Sequence, residues 1–196
     1  CGRIDLTLDE ATRKLVDKRA FTLLMDDRFP LDPVVMQLAQ PDLAASDKEL
    51  ARDVATVKSV IPGKGRGSDL VKLLCECFAG ELKRQGSAVD GVFHGTFGTG
   101  DIQPGQLTVR DCWKIIPYEN MLATAEVTAA DLAAIIAEDW KVRDSDRTLW
   151  PFDVTVEPGG TVTRIRLDGN ELPANRRVKI AFNSYDAQSG GRRLMN

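Results

Sequence analysis

Histidine is almost missing from this chain. One residue in 196, His94, carries an imidazole, and that scarcity removes whole classes of chemistry. A dinuclear hydrolytic centre needs several histidines and carboxylates to hold two cations and generate a hydroxide, so one imidazole cannot supply it. A serine or cysteine triad would have to recruit the same residue, and no nucleophile elbow or orienting acid stands at a recognisable spacing from it. His94 is therefore expected to be a loop or strand-end residue making structural hydrogen bonds. Cysteine is sparse too, at positions 1, 75, 77 and 112. Cys75 and Cys77 are too close for an ordinary disulfide, and on a helix they diverge by about 200°, which also prevents joint metal binding. Cys77 is expected in the core and Cys75 to be incidental, and the spacing leaves the compartment undecided. No stretch approaches the ~20 apolar residues needed to cross a bilayer, and Cys1-Gly2-Arg3-Ile4-Asp5 lacks the apolar core of a signal peptide. Charge of one sign is lacking as well: 26 basic against 29 acidic residues, net −3, which disfavours a polyanion-binding surface.

What is present suits one good core with a smaller appendage, since 43% of residues are hydrophobic. Residues 3–8 alternate polar and apolar, break at Asp9-Glu10 and resume from Leu15 to Met25, which predicts a β-hairpin. Asp32-Pro33 opens a helix through Val34, Val35, Leu38 and Ala39; Pro41 predicts a break, and Ser46 or Asp47 caps a further segment to about Val54. Ser68 begins the clearest helix, with Leu70, Leu73, Leu74, Cys77, Phe78 and Leu82 on one face and Gly86 closing it. A strand is predicted from Val89 to Phe93. Thr128 and Asp131 form a capping-box pattern opening a second strong helix that buries Leu132, Ile135, Ile136 and Trp140. After Trp150-Pro151-Phe152 come strands at 153–157, 162–167 and 178–183, separated by the Pro158-Gly159-Gly160 and Asp168-Gly169-Asn170 turns. Helices with mostly antiparallel strands predict an α+β fold. No internal repeat or low-complexity segment interrupts it.

The chemically suggestive stretch runs from His94-Gly95-Thr96-Phe97-Gly98-Thr99-Gly100 to Pro117-Tyr118-Glu119-Asn120. Glycines let backbone approach a ligand closely, and a tyrosine face beside an asparagine amide can stack on and hydrogen-bond a planar heterocycle. Tyr118 and Tyr185 each adjoin turn residues and carry a polar tip, whereas Phe93, Trp113 and Phe182 read as core and Phe97 as core or pocket wall. Local basic groups at Lys64, Arg66, Arg176-Arg177 and Arg192-Arg193 read first as solvated loop charges. Arg66 and Arg192 are kept as candidate anion contacts. Asp101, Asp111, Glu119 and Asp186 could form an acid pair if the fold gathered them, although sequence gives no separation between them.

The order of glycine loop, Gly105-Gln106-Leu107-Thr108, Asp111, Pro117-Tyr118-Glu119-Asn120, Val127-Thr128 and the late Asn183-Ser184-Tyr185 with Gly190-Gly191 resembles the C-terminal domain of the 5′-nucleotidase family. That family typically reads Asn-Gly-Gly-Gly-Ile-Arg, Gly-x-Ile-Thr, Pro-Phe-Gly-Asn, Leu-Thr-Gly, and Asn-x-Phe with Gly-Gly-Asp. The resemblance covers roughly residues 60–191. It implies a mixed, mostly antiparallel sheet with packed helices, preceded by a β-hairpin and a helical connector. Residues 1–30 would be the terminal hairpin of a mostly absent metallophosphoesterase domain, 31–60 the connector, and 61–196 the nucleotide-recognition domain. The fragment itself would need no cofactor, while a divalent metal pair would sit in the parent's catalytic domain. The implied partners are a nucleoside or nucleotide and that N-terminal domain, and the implied location is periplasmic or extracellular. Tyr118 and Tyr185 then resemble the two rings that grip the base, Asn120 the base-contacting amide, and Gly95, Phe97, Thr99, Arg66 and Arg192 surrounding ligand contacts. Three positions depart from the pattern: Thr99 replaces the family arginine, Glu119 the glycine, and Arg192 the acid, with one extra residue before Gly190-Gly191. These departures motivate a second expectation, a degenerate domain serving as a scaffold or dimerisation module.

Overall fold

The computed structural model describes residues 1–96 and 100–188. Phe97, Thr99 and the Gly190-Gly191-Arg192 segment lie outside the described residues. The chain divides into two compact units, Cys1–Lys48 and Glu49–Asn196.

The first unit begins with a hairpin of β1 (Gly2–Leu8) and β2 (Leu15–Thr22). Ile4 lies opposite Ala20 and Leu6 opposite Lys18, so Ile4, Leu6 and Leu8 share one face and Arg3, Asp5 and Thr7 the other. The turn is fixed locally, by an Asp9 carboxylate that accepts from both the N–H and the hydroxyl of Thr12 at 2.6 Å. Helix α1 (Pro33–Leu50) follows. Asp32 Oδ1 accepts from the N–H groups of Val34 and Val35 at 2.8 and 3.2 Å, satisfying donors of the first turn, and Pro33 loses nothing there because its missing N–H would have been unpaired. The break predicted at Pro41 does not occur: the helix continues through it to Leu50. Proline removes one intrahelical hydrogen bond and crowds the preceding turn, a cost of roughly 3 kcal/mol. Leu43, Ala44, Ala45, Lys48, Glu49 and Leu50 are strong helix formers that resume the pattern on its far side.

The second unit is built on a four-stranded sheet in the order β6 (Leu122–Thr128), β11 (Arg177–Asn183), β4 (Gly91–His94), β7 (Thr148–Trp150). Its β11–β4 pair is parallel and its other pairs are antiparallel. Alternation sends Phe93, Val178, Ile180 and Phe182 to one face and Val92 and Ala181 to the other. The first face packs on Leu132 and Ile136 of α4 (Ala129–Trp140) and on Ile165 of a three-stranded sheet, β10 (Asn170–Glu171), β9 (Val162–Leu167) and β8 (Asp153–Val156). The second face packs on Val71, Cys75 and Leu82 of α2 (Asp69–Arg84). With both faces covered, β4 and the second half of β11 lack polar alternation, as buried parallel strands do, while Arg177 and Lys179 alternate with Val178 and Ile180 at the start of β11. A third cluster joins Leu70 and Leu74 of α2 to Ile115 of α3 (Val109–Ile115), beside the ribbon of β3 (Asp53–Val57) and β5 (Gly105–Thr108). Mixed helices with mostly antiparallel sheets are the α+β architecture expected.

Four expectations need correction, the first being Trp140, which is 37% exposed at the end of α4 and not buried with Leu132 and Ile136. Cys75 is fully buried and Cys77 is exposed, the reverse of the sequence reading, because the buried stripe of α2 runs through Leu70, Val71, Leu74 and Cys75 and leaves Leu73 at its rim. The adjacent pair Leu70-Val71 marks its centre. Trp113 is 42% exposed on a helix too short to bury two faces. Val54 belongs to strand β3, not to a capped helical segment. Both capping boxes are present: Thr128 with Asp131 on α4 as expected, and Thr108 with Asp111 on α3, whose seven residues were too few to show a periodic face.

Candidate functional site

Pairing of β6 with β11 decides which candidate residues meet. The register sets Leu122 opposite Asn183, and beyond it the Ser184 N–H donates to the Met121 carbonyl at 2.7 Å while the Met121 N–H donates to Ser184 Oγ at 3.1 Å. Segments 67 positions apart at Tyr118 and Tyr185 are thereby tied together three residues after the first and one before the second. Tyr118 and Asn120 sit on a tight turn in which the Asn120 N–H donates to the Tyr118 carbonyl at 3.0 Å. Both tyrosines are open to solvent, 59% and 47% exposed.

Tyr185 is carried by the short α5 (Ser184–Ala187). Asn183 caps it, with Oδ1 accepting from the Asp186 N–H at 2.8 Å. That bond fixes the amide's orientation. Its Nδ2 is then the donor toward His94 Nδ1 at 3.3 Å, so Nδ1 accepts and the neutral ring carries its proton on Nε2. His94 is 2% exposed, meets Phe78 edge-on at 4.9 Å, and is held down to about 4 by burial and then by the positive charge of Arg147. It is neutral at physiological pH and plays the structural part expected of it.

Beneath Tyr185, Asp186 receives a bidentate pair of hydrogen bonds from Arg147, Nε at 3.0 Å and Nη2 at 2.8 Å, with the two side chains only 1% and 8% exposed. Sequence reasoning had offered Asp186 as a possible acid and passed over Arg147. Nothing in Arg143-Asp144-Ser145-Asp146-Arg147 distinguishes a buried arginine from a solvated charge run.

The remaining candidates occupy different surroundings. Gly95 is buried, and a Cβ there would collide with Asp146 Oδ1 and lie 2.9 Å from Arg147 Cγ and 3.0 Å from the Arg147 nitrogen, so the protein's own chain makes the close approach. Arg66 lies 4.7 Å over the Trp140 ring, pairs with the buried Asp139 carboxylate, and donates to the Asp139 and Arg147 carbonyls at 3.0 and 3.3 Å. It lines a cavity of about 310 Å³ with Trp140, Arg147, Phe93 and Phe152, and neither tyrosine is among the residues of that cavity. Asp101 accepts from the Gly63 N–H, Asp111 caps α3, and Asp186 faces Arg147, so these three carboxylates serve separate structural ends. Among the described residues no three His, Cys, Asp or Glu side chains are grouped to hold a metal ion, and no helix is long and apolar enough to cross a membrane.

Comparison with known proteins bears on the family and the fold. The family profile described as 5′-nucleotidase, C-terminal domain, matches residues 52–195. A probable 5′-nucleotidase of Treponema pallidum (strain Nichols) is 26% identical over 141 residues, which cover 63% of this chain and 24% of that protein. A putative 5′-nucleotidase from Staphylococcus aureus superposes with a TM-score of 0.71 at 16% identity, covering 97% of this chain and 42% of its own. The 5′-nucleotidase precursor from Thermus thermophilus gives 0.64 at 19% identity, over 96% and 40%. The chain thus spans about a quarter of the sequence relative and about two fifths of the two structures.

Proposed function

This chain belongs to the 5′-nucleotidase C-terminal domain family, and from that premise we propose that it is the substrate-recognition part of a metal-dependent phosphoester hydrolase acting on nucleotides. Tyr118 and Tyr185 stack on the two faces of the base, and Asn120 reads its edge with one amide acceptor and two donors. The observation that carries this reading is the hydrogen-bonded Met121–Ser184 pair, which brings two exposed tyrosines and an asparagine from distant sequence to neighbouring segments. Aromatic stacking contributes ~1–3 kcal/mol per base in single-stranded nucleic-acid complexes, enough to favour a nucleoside over bare phosphate. Phe97, Thr99 and Arg192 complete the surroundings of the ligand by their place in the family pattern, whereas the space beside Gly95 is taken by Asp146 and Arg147. Arg66, tied to Asp139, can offer a ligand only the quarter of its side chain that stays exposed.

Hydrolysis would belong to an N-terminal metallophosphoesterase domain of the same parent chain, and a divalent metal pair held there would supply the Lewis-acid chemistry. The ligand set of this chain does not fit such a pair, because its single imidazole is committed to Asn183 and Phe78. Residues 1–30 are then the last hairpin of that domain, 31–60 the connector and 61–196 the recognition domain. The Thermus relative is described as a precursor, which suits a periplasmic or extracellular enzyme.

Calorimetric titration of the chain with adenosine and AMP should show saturable binding that Tyr118→Ala with Tyr185→Ala abolishes, with little change in melting temperature. No saturable heat from either ligand would sink the reading in favour of a scaffold. The isolated chain with added divalent metals should turn over no phosphoester, and activity that tracks this polypeptide through purification would overturn the division of labour.

A further inference from the structure

We propose that the dipeptide Asp146-Arg147 is a bracket that sets the position of Tyr185 relative to the end of β4, with Arg147 as the positioning residue for the second ring. The proposal rests on the clamp reading above for its function, and on hydrogen bonds for its structure. Asp146 points one way, accepting from the Thr96 N–H at 3.0 Å and from the Thr96 hydroxyl. Arg147 points the other, holding both oxygens of Asp186 on α5. Two adjacent residues therefore fasten the segment that leaves β4 and the turn of helix that carries Tyr185. Gly95 permits this, since any side chain there would strike both of them.

The bracket is itself held from behind. Ser145 Oγ donates to the Asp139 carboxylate at 2.7 Å and accepts from the Arg147 N–H at 3.4 Å, while Arg66 spans Asp139 and the Arg147 carbonyl. Three residues next to the ring have anchors: Asn183, the cap of α5, on His94, Ser184 on Met121, and Asp186 on Arg147. Tyr185 alone of this group projects outward, 47% exposed. A short helix of four residues has little stability of its own. Its orientation rests on these side-chain bonds together with the backbone bond from the Ser184 N–H to the Met121 carbonyl, and the bidentate ion pair is the strongest and most directional side-chain contact among them.

The sequence provides a clean reporter, because its two tyrosines are Tyr118 and Tyr185. Chain grown with 3-fluorotyrosine should give two ¹⁹F signals, assigned by replacing each tyrosine with phenylalanine. Arg147→Lys keeps the charge but cannot hold both carboxylate oxygens. It should shift or split the Tyr185 signal while moving that of Tyr118 less, and weaken adenosine binding about tenfold, as loosening a supporting shell does. Asp186→Asn should act in the same direction and serves if the lysine variant folds poorly. Asp146→Ala touches neither Tyr185 nor Asp186, yet should also disturb the Tyr185 signal. Leu132→Ala, a comparable destabilisation in the core, should leave both signals and the affinity as they are. A Tyr185 signal and affinity unchanged in Arg147→Lys and Asp186→Asn would overturn the positioning role, and an unchanged signal in Asp146→Ala would overturn the bracket. If the unaltered chain binds no nucleoside, the clamp reading fails while the fluorine spectra still decide the bracket.

Discussion

Strand β1 and strand β11 follow the same period-two rule with opposite outcomes. Ile4, Leu6 and Leu8 alternate on the hairpin and are 67%, 59% and 55% exposed, whereas Val178, Ile180 and Phe182 alternate on β11 and are 3%, 0% and 4% exposed. The helices differ in the same way: α1 has no buried residue along its 18 positions, while α2 and α4 bury a stripe each. Alternation and caps state which face seeks cover, and they are equally well formed in both units. Only the second unit's own elements supply that cover. Order in the first unit rests on local bonds such as Asp9 with Thr12 and Asp32 with Val34, and in the second on two cores sharing one sheet. In the proposed parent, the catalytic domain is what the hairpin's apolar face would meet.

Paired substitutions test that contrast most strongly in the core. Leu132→Ala, at a fully buried site, should cost about 3 kcal/mol in urea unfolding, whereas Leu6→Ala should change the same transition by less than about 0.5 kcal/mol. Equal losses would show that the hairpin is buried in solution.

Titration should separate the units next. His94 has a folded value of about 4 against 6.5 in the unfolded chain. As pH falls from 6.5 toward 4 the unfolded chain takes up a proton that the folded one refuses, so stability present above 6.5 is lost across that window, by about 3 kcal/mol at its end. Denaturation midpoints measured from pH 7 to 4 should fall less steeply in His94→Gln. An identical slope would mean that the imidazole is solvated.

Glycines give a smaller pair. A Cβ at Gly91 would strike the Phe152 ring and lie 2.6 Å from the Trp150 carbonyl, whereas one at Gly2 meets nothing within 4 Å. Gly91→Ala should therefore cost about 2 kcal/mol, and Gly2→Ala should leave the melting temperature unchanged. Caps give the smallest effect: Thr128→Ala should lower the stability of the second unit by about 1 kcal/mol. Asp32→Ala should reduce only the helix signal from α1, seen by circular dichroism, and a shift in the main transition would show that α1 contributes to the core.

Much of this molecule was legible where signals are local. The hairpin, the Ser68 cap of α2, the Thr128–Asp131 box, and the strands bounded by Asp153, Val162 and Asn183 could be read because caps, turns and alternation depend on residues within a few positions of one another. The Pro41 break failed because strong helix formers on both sides outweighed one lost bond, and the Cys75–Cys77 reversal came from rotating a helical stripe by part of a turn. At the candidate site the exposed aromatic pair was marked by its polar tips and turn neighbours. Of its foundations, Asp186 was named only as a possible acid, and Asp146 and Arg147 were not marked at all.

Sequence alone determined that this chain has a single histidine, carries two cap-defined amphipathic helices, and sets Tyr118, Asn120 and Tyr185 beside turn-forming residues. Those properties belong to residue types and short spacings, which survive without knowledge of the fold. Tertiary structure decided the rest: that β6–β11 pairing brings residue 121 against residue 184, that Gly95 makes room for Asp146 and Arg147, and that Arg147 is buried on Asp186. An arginine in a charged loop and an arginine clamped under a helix look the same in sequence, because desolvation is a property of what surrounds a group in space.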